Sequence, residues 1–391
     1  MRVRESAAMA DIADPRRFPD PASAPDDARE AHALARASLA AASGLDAQSC
    51  DAALDVLIDR ELTAPDARQA GLRLAAWLAS APSVEVYRHV WRALVRRAAA
   101  PPPGEGIAVT LFAIPLVLVA GVTGGAGARV ALPGTLPDGP ALAGLLLEHG
   151  ALGGNRSFTL SASLVACGTL EVAALPLLRV AQQAVLSRGA PLELPPALLA
   201  LPAGESVHLR FLVGSAVGAA GIDVTRDATT GRWGMPLTKA LSAQLAAPGA
   251  TLLALPRPAL SPLAAVAQGR TAQRDVSAQL FASNAIRDLR ASVGEPIAVI
   301  SAHRAADAPG GGELRLSLSS PFSPRDAQGY RCPVLAGERA GDAAKMLADL
   351  CADARVADVR IAPGVHDDRD PLTGGPLMFK PEMLPGASRI H

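Results

Sequence analysis

The chain has 391 residues, half of them apolar, with 37 basic and 37 acidic side chains. That length and apolar content support two or three domains with real cores and exclude wholesale disorder. Zero net charge and only 3% aromatic residues leave no basic footprint and little stacking surface, which excludes nucleic acid as a partner class.

Lysine occurs only at 239, 345 and 380 while arginine and alanine abound, a composition expected of a GC-rich bacterial source. Cys50, Cys167, Cys332 and Cys351 form no C-x-x-C pair, so they read as buried small hydrophobes in a reducing, cytoplasmic compartment. Residues 1–28 are rich in Pro, Asp and Ala and lack the apolar core of a secretory leader, so a flexible tail is expected. Met9 serves as a start as well as Met1.

Residues 29–100 read as an all-α domain. His32–Ala42 is Ala-rich, and Leu54, Leu57, Ile58 and Leu62 recur at helical spacing. Thr63 with Asp66 three residues on reads as a capping box for a helix through Trp77. Val84, Tyr87, Trp91, Leu94 and Val95 form the stripe of a fourth helix, ended by Arg96-Arg97 and broken at Pro101-Pro102-Pro103-Gly104.

Residues 107–128 carry no charge, and ten of the sixteen from Ile107 to Val122 are Ile, Leu, Val or Phe. A spanning helix needs about 20 such residues. Pro115 at the centre and four glycines near the end favour a buried strand, so no membrane association is expected; an anchor at 107–128 is the alternative.

Beyond Gly104 the predicted elements alternate. Strands are expected at 107–114, 157–166, 207–213, 251–255, 296–302, 314–318 and 356–361. Helices are expected at 141–148, 170–186, 237–245, 262–291 and 342–352. Leu111–Pro115 is echoed by Leu252–Pro256, Leu160–Ala162 by Ile300–Ala302, Leu209–Leu212 by Leu314–Ser317, and Gly231–Pro236 by Gly329–Pro333. The four landmarks keep their order, which reads as an internal duplication. The expected fold is α+β: a helical N-terminal domain, then two tandem βαββα repeats of ferredoxin-like or related mixed-sheet order. Repeat 1 covers 105–249 with an insertion at 168–204, repeat 2 covers 250–364, and 365–391 is an extended tail.

No motif names an activity. Gly121–Gly127 lacks both the Walker A lysine and the G-x-G-x-x-G spacing, so no cofactor is implied. Arg232 and Trp233 in one echoed loop, with Tyr330 and Arg331 in the other, are candidate ligand-binding residues lining a cleft. His366, Asp367 and Asp370 have the chemistry of divalent-metal ligands, although consecutive ligands converge only in a turn. Ser301 and His303 alternate along a strand as a nucleophile and base would, without a G-x-S-x-G elbow. The functional expectation is a binding or regulatory protein for a small molecule or another protein. Metal-assisted hydrolysis between the repeats is the alternative.

Overall fold

The computed structural model describes residues 12–99, 107–120, 130–131, 136, 138–149, 158–188, 192, 194, 200–201, 206–219, 234–245, 250–254, 261–305, 311–320, 323–370 and 374–384. The fold is mixed α+β with a helical N-terminal region. It forms two compact units, one of Met1–Asp20, Pro82–Tyr87 and Arg274–His391, the other of Pro21–Ala81 and Arg88–Gln273.

The N-terminal helices are α1 (Asp26–Ala40), α2 (Gly44–Leu62), α3 (Ala67–Ala79) and α4 (Val84–Ala99). Ser43 caps α2 by accepting from the Asp46 amide at 3.1 Å. Asp66 caps α3 by accepting from the Gln69 amide at 3.0 Å, whereas Thr63 closes the preceding helix. The cap is therefore Asp66 and not the Thr63 of the expected capping box. The predicted α2 stripe Leu54, Leu57, Ile58 and Leu62 is buried.

The unit of Pro21–Ala81 and Arg88–Gln273 also holds β1 (Ile107–Ala120), β2 (Val130–Ala131), α5 (Gly139–Glu148), β3 (Phe158–Leu160), α6 (Leu175–Arg188), β4 (Ala200–Leu201), β5 (Ser206–Ala219), α7 (Gly234–Leu245) and β6 (Ala250–Ala254). Its main sheet has the order β3-β5-β1-β6 and is antiparallel throughout, while β2 pairs with β4. The apolar run is thus a strand paired on both sides, with β6 meeting it from Leu116 to Ala120. Pro115 stands just outside that β6 ladder, where a missing N–H removes no rung. Among the described residues, no helix is long and apolar enough to cross a membrane.

The 31-residue α8 (Pro262–Ser292) leads into the second unit. There β7 (Ile297–Arg304), β8 (Gly312–Ser320) and β9 (Ser323–Pro333) form a meander; α9 (Ala340–Asp353) then carries the chain to β10 (Asp358–His366). The sheet order is β10-β7-β8-β9, with β10 parallel to β7. One face packs Ala298, Ile300, Leu314, Leu316 and Leu318 against Ala282, Ile286 and Leu289 of α8 and Ala344 and Leu347 of α9. Of the segment expected as a tail, Ile12 is buried in this core, and Arg16 donates to the carbonyls of Leu335 at 3.0 Å and Glu338 at 2.6 Å.

The two sheets have different strand orders, and the strand expected to open a second copy, β6, lies beside β1 in the first sheet. The tandem duplication and the ferredoxin-like order are not confirmed by this topology.

Candidate functional site

The sequence of β8, Gly312-Glu-Leu-Arg-Leu-Ser-Leu-Ser-Ser320, alternates polar and apolar from Glu313 to Ser319, and its leucines face the helices. Such a strand normally presents its polar side to water. Here all nine residues are buried, so the polar face is covered as well.

The cover is the chain's own C-terminal segment. Directly after β10, residues 368–370 pair with residues 374–377 as the two arms of a hairpin. The Leu377 amide donates to the Asp368 carbonyl at 2.9 Å, Asp370 to Gly375 at 2.8 Å and Gly374 to Asp370 at 2.8 Å. Gly374 turns the chain at φ +68°. Residues Asp367, Asp370, Tyr330 and Arg331 all belong to this unit, and the structure sorts them by face.

Arg315 closes the base of the hairpin. Its Nη1 donates to the carbonyls of Asp368 at 2.6 Å and Leu377 at 2.9 Å, its Nη2 pairs with the Asp368 carboxylate, and its Nε donates to Glu313 at 2.7 Å. Arg331, opposite Arg315 in the β8–β9 register, donates to both Glu313 oxygens at 2.8 and 2.9 Å.

One step along the sheet, Ser301 Oγ lies 2.8 Å from His303 Nε2, and His303 Nδ1 lies 2.9 Å from the Asp367 carbonyl. A carbonyl only accepts, so Nδ1 carries the proton and Nε2 accepts from the serine hydroxyl. Ser301, His303 and Arg315 are 0% exposed. Burial is the main force on His303 and holds its pKa down to about 4; the Arg315 cation adds to this against the Asp367 hydrogen bond. His366, beside His303 in register, has its ring centre 5.6 Å from that of His303 and 4.2 Å from that of Phe379. Burial lowers its pKa too, and its Nε2 is buried without a hydrogen-bond partner among the described residues. Met378 fills the space above Gly329, where a Cβ would stand 2.6 Å from its sulfur.

The structure therefore gathers Ser301, His303, His366 and Arg331 on one covered face. Asp367 joins through its backbone carbonyl, and Asp370 lies in the hairpin. Among the described residues, no group of three or more His, Cys, Asp or Glu side chains is placed to hold a metal ion. Tyr330 points to the opposite face, stacked on Phe281 at 5.4 Å, and burial pushes its phenol pKa up. Residues 329–333, expected as a loop, are strand residues of β9. Arg232, Trp233 and the Gly-rich stretch 121–127 lie outside the described residues.

Sequence reasoning missed Glu313, Arg315 and Asp368. The signal present was a charged pair two residues apart in an alternating strand. Nothing local showed that this side would be covered. Comparison with family models, curated proteins and solved structures finds no match.

Proposed function

We propose that the chain is a binding or regulatory protein. Its working surface is the polar face of the second sheet, held closed by its own C-terminal hairpin. Arg315 carries this reading. A fully buried guanidinium loses several kcal/mol of hydration, and apolar replacements of buried ion pairs are often neutral or stabilising. What Arg315 supplies is recognition: it selects a carboxylate and two carbonyls in one arrangement. A permanent core has no need of that selectivity, whereas a surface that docks and releases a segment does.

A hydrolytic reading draws on the Ser301–His303 geometry, which is that of a nucleophile with an oriented base. Both side chains are fully covered, and the segment that orients His303 also bars substrate. The metal-assisted version draws no support from His366, Asp367 and Asp370, because Asp367 meets the cluster through its backbone. Partner binding under a displaceable cover uses every contact at the site; hydrolysis uses two of them.

Limited proteolysis of the full chain tests this. The parent resists cleavage between Asp367 and Leu384, and Asp368→Ala is cut there at least about tenfold faster, since a charge-assisted bond contributes about 1.5–3 kcal/mol. Equal resistance of the two chains would refute the occlusion.

A further inference from the structure

The hairpin is the sheet's resident occupant, so its contacts define what the surface accepts. Without it, Arg315 keeps Glu313, a carboxylate that it shares with Arg331. Asp368 gives the Arg315 guanidinium a second carboxylate of its own. The two carbonyls held by Arg315 are main-chain groups that any hairpin or extended segment supplies. Beyond them the sheet offers a gap over Gly329, filled by a thioether, and the His366 ring, covered by Phe379. From this we infer that the polar face binds a hairpin or extended segment of a partner protein, with a carboxylate in the place of Asp368 and a flexible apolar residue followed by an aromatic one in the places of Met378 and Phe379. The inference rests on the occlusion reading above and names the chemistry of the displacing partner.

A second copy of the chain would have to exchange its edge strand β10 along with the hairpin. His366 ends β10 within the sheet, and Asp368 follows two residues later. Two residues span about 7 Å at most. A neighbour's Asp368 would reach Arg315 only by bringing its own β10 to within that distance, where the first copy's β10 already stands. A partner whose acidic segment lies in a longer free stretch needs no such exchange.

The experiment uses the full chain as parent, as Asp368→Ala and as Asp368→Ala with Arg315→Lys, which keeps the charge but loses the fork. The probe is the fluorescent peptide DDRDPLTGGPLMFKPEML, the sequence of residues 367–384, alongside the same peptide with its second Asp changed to Asn. Anisotropy gives affinity, light scattering gives oligomeric state, and proteolysis reports whether the hairpin has left the sheet. The tethered hairpin competes at an effective concentration near millimolar, so the parent binds the peptide weakly. The Asp368→Ala chain binds it at 1:1 and at least about tenfold tighter, while the Asn peptide and the Arg315→Lys chain each lose about tenfold. A hairpin that opens to protease while the peptide fails to bind overturns the inference, as do equal affinities of the two peptides. Dimerisation of the Asp368→Ala chain in place of peptide binding assigns the surface to a second copy and overturns it too. Unchanged protease resistance defeats the occlusion reading, and the inference falls with it.

Discussion

Removing the guanidinium of Arg315 strips partners at once from Glu313, from the Asp368 carboxylate and from the carbonyls of Asp368 and Leu377. The two charge-assisted bonds to carboxylates contribute about 1.5–3 kcal/mol each, so their loss costs about 3–6 kcal/mol, even though Glu313 keeps Arg331. Arg315→Met is therefore expected to lower the chemical-denaturation stability of the full chain by that amount, and a loss under about 1 kcal/mol would contradict the network. His303 gives a pH signature. Its pKa is about 4 in the fold against about 6.5 when unfolded. Between those values the unfolded chain binds more protons, so the His303 contribution is intact above about pH 6.5 and lost as pH falls. The loss reaches on the order of 3 kcal/mol near pH 4, and the lowered pKa of His366 acts in the same direction. His303→Gln is expected to flatten the fall in stability between pH 7 and pH 4.5; an unchanged slope would place the titration elsewhere.

Elements whose apolar periodicity is their own were legible in the sequence. The helix expected at 262–291 is α8 at Pro262–Ser292, and the strands expected at 296–302 and 314–318 are β7 and β8. The strand β9, Ser323-Pro-Arg-Asp-Ala-Gln-Gly-Tyr-Arg-Cys-Pro333, was not legible, because Pro, Asp and Gly give it the composition of a turn. Its pairing with β8 supplies what its propensity does not. The N-terminal segment shows the same dependence on distant partners. Gly312 lets it pass: a Cβ there would stand 2.8 Å from the backbone of Pro15 and Arg16. Gly312→Val is expected to push that segment off the sheet and cost about 1–3 kcal/mol. Faster tryptic cleavage after Arg16 checks it, and unchanged cleavage would show that the segment shifts without leaving.

At the scale of the molecule, strands could be read from the sequence but their neighbours could not. Two short apolar runs ending in Leu-Pro or Ile-Pro look like copies, yet β1 and β6 are partners in one sheet. Local pattern reports burial and punctuation; sheet order is set by contacts far apart in sequence. The candidate site was half visible for the same reason. Ser301, His303, His366 and Arg331 stood out as residues, but their convergence depends on strand register, and their cover on a C-terminal segment expected only as an extended tail. The covered face is the claim on which the functional proposal stands. Hydrogen–deuterium exchange on the full chain, read at the amides of Asp370, Gly374 and Leu377, tests it most directly. Protection of these amides in the parent, lost in Asp368→Asn while the β8 amides keep theirs, is the expected result. Free exchange of the three amides in the parent, or protection that survives in Asp368→Asn, would contradict it.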